Sequence, residues 1–275
     1  MITSSSASPA RQLASLRRTS PLVHNITNHV AMTPIANTLL AIGASPLMAH
    51  ALEEMQDIVG IADALCINIG TLSGPWIDAM HLAAHTAHLA GKPWVLDPVG
   101  VGASALRQQT CRALLAYQPS VIRGNASEIL ALAGEASQSR GVDSGDDARE
   151  ACDRATQAAH ALARQHDCVV AMTGAVDVVT DGRRMIRITG GHPLMGRVTA
   201  MGCALSSVVA AFIAANDASL SATATALACY ACAGEHAGRI AAGPGSFVGV
   251  FMDTLYALDG ETAALETRME ITNVA

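Results

Sequence analysis

An apolar run, WVLD, ends in an acid at Asp97, and the next such run, VIR, leads into Arg123-Gly124-Asn125-Ala126-Ser127-Glu128. Two carboxylates with a guanidinium nearby suit magnesium-nucleotide chemistry. Mg²⁺ takes one or two carboxylates plus waters and substrate phosphates rather than a full protein cage, and arginine matches a polyphosphate. Asp97 and Glu128 are therefore the candidate metal residues. A plainer reading makes Asn125 a helix N-cap and Glu128 its partner in a capping box. Spacing alone favours the cap, and Arg123 shifts the balance towards a polyphosphate site.

The glycine turn after Asp97, GVGASA, approximates the G-x-G-x-x-A dinucleotide fingerprint. That fingerprint wants a ribose-binding acid about 20 residues further on, where this chain reads Val121-Ile122-Arg123. A cofactor site, a bare strand-to-helix turn and a site in which Asp97 handles a metal all stay open, the last being favoured. There is no P-loop, because Gly91-Lys92 runs into Pro93. A phosphate cradle is instead expected at Met201-Gly202-Cys203-Ala204-Leu205-Ser206-Ser207, which opens an apolar helix after the irregular GGHPLMGRVTA. A helix N-terminus offers free N–H groups and partial positive charge. The same field lowers a thiol pKa, so Cys203 is expected to be the chemically active cysteine rather than only a small packing residue.

Three further patterns are weaker. His81, His85 and His88 share a helix face but have no acidic partner at metal spacing. Cys229 and Cys232 form a CxxC in mid-helix, away from the N-terminus that would activate it. The turn GPGSF, before an amphipathic helix, could border a nucleotide base.

These residues must be held by a chain of 275 residues, 51% apolar, 15% charged and 3% aromatic, enough to bury a large aliphatic core. With 17 basic against 23 acidic residues the net charge of -6 argues against nucleic-acid binding. Seven scattered cysteines are no disulfide framework and suit a reducing, cytoplasmic setting. The first twenty residues lack the apolar stretch of a secretory signal and read as a loosely ordered arm leading into a helix. No run approaches the 18 or so apolar residues needed to span a membrane.

Periodicity predicts helices over 31–42, 74–90, 104–116, 125–133, 144–165, 202–215, 219–241 and 247–258. Short strands are predicted at 46–49, 64–69, 94–97, 120–123, 168–172, 176–180 and 184–189. Runs such as ALCINI and CVVAMT are apolar on both faces, as in a parallel sheet covered by helices on both sides. Asp181-Gly182 between two alternating runs signals a hairpin. The expectation is a single α/β domain spanning the chain, with a mostly parallel central sheet and a late antiparallel hairpin. Ligands should then sit beyond the C-terminal ends of the strands.

Six segments carry a resemblance: PLVHNITNHVAMTPIANTLLAIGASPLMAHALEE, WVLDPVGVGAS, VIRGNASEILALAG, AMTGAVDVVTDG, GCALSSVVAAF and GPGSFVGVFMDTLY. Together, in this order, they resemble the hydroxyethylthiazole kinases of the ribokinase-like superfamily, over about residues 20–258. The resemblance implies ATP- and Mg²⁺-dependent phosphorylation of the primary alcohol of 4-methyl-5-(2-hydroxyethyl)thiazole, in a homotrimer with sites at subunit boundaries. Met48 would contact the thiazole, with Asn25 and Asn28 close by and Ala200 and Gly202 lining the alcohol end. Arg123, Thr173, Gly174 and Asn125 would bind ATP, Gly245 and Phe247 would border the adenine, and Asp97 and Glu128 would organise Mg²⁺ through its waters. Cys203 stands where most ribokinase-like enzymes carry an aspartate base. One departure stands out: the family's Gly-Thr-Gly-Cys is Ala200-Met201-Gly202-Cys203 here. Alanine gives up free access to positive φ, and Met201 replaces a hydroxyl with a thioether. Alternatives at this stage are another ribokinase-like activity, such as pyrimidine-alcohol kinase or ATP-dependent metabolite repair, and a ligand-binding trimer weakened in catalysis.

Overall fold

The both-faces-apolar runs do become interior strands of one sheet. The computed structural model describes residues 8–135, 145–217, 219–259, 265–266 and 268–274. Its strands are β1 (Leu22–Ile26), β2 (Ser45–Met48), β3 (Ala64–Asn68), β4 (Trp94–Asp97), β5 (Val121–Asn125), β6 (Val169–Thr173), β7 (Asp177–Thr180), β8 (Arg184–Ile188) and β9 (Met269–Asn273). The helices are α1 (Pro9–Thr19), α2 (Met32–Ile42), α3 (Met55–Ile61), α4 (Gly74–Leu89), α5 (Ala105–Leu115), α6 (Ala126–Leu132), α7 (Gly145–His166), α8 (Met201–Ala215), α9 (Ser219–Ile240) and α10 (Pro244–Ala257).

The sheet runs β2-β1-β3-β4-β5-β6-β7-β8-β9. Pairings from β2 to β6 are parallel, and those from β6 to β9 are antiparallel. Strand alternation sends successive side chains to opposite cores. Cys66, Val95, Val121, Val169 and Ala171 face a layer formed by α1, α2, α8, α9 and α10. Leu65, Ile67, Leu96, Ile122, Val170 and Met172 face α3 to α7. The chain leaves β1 for β2 on one side and then reaches β3 on the other. That reversal opens a crevice at the carboxyl ends of β1 and β3, where ligands bind in such sheets.

The expected hairpin forms between β7 and β8, with Gly182 at φ 79° and the Asp181 carboxylate accepting from the N–H groups of Arg183 and Arg184. Strand β9 then extends it. The loosely ordered arm expected over 1–20 needs correction for residues 9–19, which form α1. Leu13 and Leu16 are buried in the core, and Gln12 Nε2 donates to Ser221 Oγ at 2.9 Å. Residues 1–7 of that arm, and position 144 of a predicted helix, lie outside the described residues. Strands β1 and β9 and helix α3 were not expected from the pattern. Among the described residues no helix is long and apolar enough to cross a membrane.

Candidate active site

A cavity of about 640 Å³ opens at the carboxyl ends of β5 and β6, against the start of α8. Arg123 on β5 is only 8% exposed, and one of its terminal nitrogens donates to Thr173 Oγ1 at 2.6 Å. Its Nε has no partner, and the ion pairs of the described residues do not include it. A buried guanidinium with no carboxylate at ion-pair distance is a strong anion receptor. Gly202 in the first turn of α8 lies against it: a Cβ there would sit 2.6 Å from an Arg123 nitrogen. Glycine is therefore what lets the helix N-terminus and the guanidinium face the same space. Gly174 donates its N–H to Asp177 Oδ1 at 2.9 Å, and burial pushes Asp177 up to about 6. The apolar wall comes from Leu205, Leu227, Ala231 and Met195, with Tyr230 as its phenol. Tyr230 is fully buried and donates to the Met201 carbonyl at 2.8 Å, which ties α9 to the first turn of α8.

A second set of side chains lies beside Gly202, at the ends of β1, β3 and β4. Asn28 Nδ2 donates to Asn68 Oδ1 at 3.0 Å and to Cys203 Sγ at 3.4 Å. Asn68 Nδ2 donates to Asp97 Oδ2 at 2.7 Å, and Ser206 Oγ donates to the same oxygen at 2.9 Å. Asp97 Oδ1 is buried without a partner. Loss of solvent pushes Asp97 up to about 6, although Arg123 opposes the shift and Glu128 adds to it. Arg107 donates to the carbonyls of Ile69, Gly70 and Val99, clamping the loops that follow β3 and β4.

The structure brings Asp97, Arg123, Thr173, Gly174, Gly202 and Cys203 to one end of the sheet, as the motifs required. Glu128 forms the capping box that its spacing suggested: Oε2 accepts from the Asn125 N–H at 2.9 Å, while Asn125 Oδ1 accepts from the Glu128 N–H at 3.0 Å. Its Oε1 also accepts from the Gly100 N–H at 3.0 Å. Met48 is half-buried at the end of β2, paired with Asn25. The Asn25 carboxamide is used internally, by Val23 and Leu47 carbonyls and by Ser207 Oγ at 2.7 Å, and it lies 2% exposed. Ala200 stands at φ 64°, the left-handed conformation glycine tolerates better.

One expectation fails. Burial and the nearby Asp97 push the Cys203 thiol up, against the depression expected from the helix terminus alone. Desolvation of the thiolate outweighs the helix field there. Phe247 does not border the cavity: Pro244 starts α10 early, placing Gly245 in its first turn, and Phe247 is fully buried in stacked contact with Phe251. His81 and His85 pack on Tyr117, and Cys229 is fully buried with its thiol pushed up to about 12. No cluster of three metal-type ligands occurs among the described residues.

Sequence reasoning missed Asp177, Arg107 and Tyr230 as site builders. Asn68 was visible as a polar residue ending an apolar strand. Asp177 was read as strand pattern, and nothing local distinguished Arg107 or Tyr230.

A sheet of this topology, with an anion-ready helix terminus facing a buried arginine, defines a ribokinase-like kinase. Known proteins agree. A *Staphylococcus aureus* pyridoxal kinase structure in complex with AMP-PCP shares the fold at TM-score 0.64 and 17% identity, over 92% of this chain and 99% of that one. The sequence profile of the hydroxyethylthiazole kinase family matches residues 13–261. Curated hydroxyethylthiazole kinases from *Rhizobium leguminosarum* bv. trifolii and *Nitratidesulfovibrio vulgaris* are 52% and 53% identical. They cover 96% and 90% of this chain and 98% and 92% of their own lengths. The hydroxyethylthiazole kinase structure from *Pyrococcus horikoshii* superposes at TM-score 0.86 with 40% identity, over 97% of this chain and 99% of that one. The chain belongs to the hydroxyethylthiazole kinase family.

Proposed function

We propose that this chain transfers the γ-phosphoryl group of ATP to the primary alcohol of 4-methyl-5-(2-hydroxyethyl)thiazole, the thiamine-salvage reaction of its family. The observation that carries this reading is the buried Arg123–Thr173 pair packed against Gly202 in the wall of the cavity. Phosphoryl transfer through a loose transition state asks for positioning and charge stabilisation more than for a strong base. Arg123, the Gly174 region and the N–H groups at the start of α8 supply that charge. Leu205, Leu227 and Ala231 give the nucleotide apolar surface.

Mg²⁺ fits the residues present. Asp97 keeps one buried oxygen without a hydrogen-bond partner, a group that a hydrated cation would satisfy. Glu128 sits nearby with its carboxylate oriented by two N–H groups. When bound, the ion would neutralise charge developing on the phosphates. Asp97 and Glu128 would hold its water shell, while Asn28 and Gly202 would orient the alcohol near Cys203. Met48 lines the thiazole end, and Ala200 shapes the turn before α8.

We also propose a homotrimer in a reducing, cytoplasmic setting. Val30 and Leu40, exposed apolar residues near the two ends of the segment that joins β1 to β2, and free cysteines throughout the described residues support it. The test is substrate selectivity. With Mg-ATP, the thiazole alcohol should give kcat/KM at least about tenfold above a hydroxymethylpyrimidine alcohol, one missing fit being worth roughly that factor. Faster turnover of the pyrimidine would assign the site to another alcohol.

A further inference from the structure

The side chain that joins the two halves of the alcohol end is Asn68, which is 1% exposed at the last position of β3. Its side chain bridges two residues assigned to the reaction, Asn28 and Asp97. Its Oδ1 accepts from Asn28 Nδ2 at 3.0 Å and from the Gly70 N–H at 2.9 Å, and its Nδ2 donates to Asp97 Oδ2 at 2.7 Å. Asn28 spends its other amide hydrogen on Cys203 Sγ at 3.4 Å. A continuous run of hydrogen bonds thus leads from the Cys203 sulfur through two carboxamides to the Asp97 carboxylate.

The geometry points to Asn68 as a positioning residue for phosphoryl transfer, one that sets the orientation of Asp97 and of Asn28 at the same time. Each half of the argument is visible. Asp97 has two oxygens, and both donors, Asn68 and Ser206, reach Oδ2, so Oδ1 is left buried and unpartnered. Such a bare oxygen costs folding free energy unless something binds it. Asn68 fixes which oxygen is bare. On the other side, an asparagine amide can flip end for end, and the flipped Asn28 would turn a carbonyl on the sulfur. Acceptance by Asn68 Oδ1 holds the N–H end there. The neighbouring Gly70 is close-packed against this pair: a Cβ would lie 2.8 Å from Asn28 Cβ and 3.0 Å from Asn68 Oδ1. Glycine at 70 is what allows the loop after β3 to approach both carboxamides this closely. Neither Asn68 nor its partners Asn28 and Asp97 line the 640 Å³ cavity that holds Arg123 and Thr173, so nucleotide affinity should be separable from this function.

This inference rests on the kinase reading above, and the parent enzyme separates the two. If the parent makes no phosphate ester, the functional reading falls and this assignment with it. Given an active parent, Asn68→Ala is compared with it by steady-state kinetics, with thermal melting confirming a folded protein. Loss of a residue that orients catalytic groups typically costs 10–100-fold, so kcat should fall by about that factor while KM for ATP stays within about twofold. Asn68→Ser, a smaller change that cannot span Asn28 and Asp97 together, is the second variant with the same expected split. A folded variant with kcat within about threefold of the parent overturns the assignment. A fall in kcat matched by an equal rise in KM for ATP also overturns it, because that pattern marks general distortion.

Discussion

At the scale of residues, Cys203 is the position where reasoning from chemistry is most easily misled. It sits in the first turn of a helix, which favours a thiolate, yet it is surrounded by protein and close to the Asp97 carboxylate, and the net effect is upward. A thiol held protonated at neutral pH is a poor base, while the transition state of phosphoryl transfer needs little base assistance. Cys203→Ala should therefore lower kcat by no more than about tenfold to hundredfold. Loss of all turnover with ATP and alcohol still binding normally would show an obligatory base. Asp177 allows a test of burial itself. Its carboxyl titrates near 6 in the folded chain, above the roughly 3.9 of an exposed aspartate. The folded state holds this proton more tightly, so this group favours folding least once it is ionised: its contribution declines as pH rises from about 4 through 6. Asp177→Asn retains an oxygen for the Gly174 N–H. It should leave stability unchanged near pH 4 and raise it near pH 8 by of order 2 kcal/mol, read from thermal melting. Parallel melting curves at the two pH values would contradict the burial argument. Of the residues now seen in the site, Asp97, Arg123, Thr173 and Cys203 were legible because each follows a strand or opens a helix. Tyr230 and Arg107 were not, since their partners are remote carbonyls that no local spacing reveals.

At the scale of elements, the turn into α8 carries the departure from the family pattern. Ala200 adopts φ 64°, a conformation that costs an L-residue with a Cβ about 1–2 kcal/mol. The next residue, Met201, reaches the cavity with its side chain beside the Tyr230 hydroxyl. Replacing Ala200→Gly should raise thermal stability, by about 1 kcal/mol after allowing for the greater freedom of an unfolded glycine. The pair Ala200→Gly and Met201→Thr should also raise kcat/KM for the thiazole alcohol. No change in either quantity would remove strain and crowding at this turn as explanations. Elements were legible to the degree that their faces alternate cleanly. The eight helices expected from periodicity form within a few residues, and the seven expected strands do too. Strand β1 escaped because LVHNI places His24 and Asn25 in the interior, where His24 Nε2 pairs with the Ala49 carbonyl at 2.9 Å and Asn25 meets Ser207. Polar residues satisfied by distant partners look like loop in one dimension. Helix α3 has only seven residues and no side-chain N-cap, whereas the equally short α6 is announced by its capping box.

At the scale of the whole molecule, the arrangement follows from a chain that must bury aliphatic surface with few aromatics. Small residues along α8, Ala204, Ser206, Ser207, Ala210 and Ala211, are all buried, which lets this helix lie close over β3 and β4. Two serines in such a helix look out of place by composition. Their hydroxyls hold Asp97 and Asn25, so the packing layer and the site are built from the same turn. The mostly parallel sheet and the late hairpin were expected from strand polarity and the Asp181-Gly182 turn. The strand order was not, because it depends on which crossover each helix makes. The crevice between β1 and β3 and the cavity beyond β5 and β6 lie side by side with Gly202 between them, and the proposed reaction assigns the alcohol to the first and the nucleotide to the second. That adjacency is the central claim, and the fate of the γ-phosphorus tests it most directly. Incubating the protein with Mg-ATP labelled at the γ-phosphoryl group and the thiazole alcohol should place the label in the phosphate ester, in one-to-one ratio with ADP. Label appearing as inorganic phosphate, with no ester formed, would contradict the account.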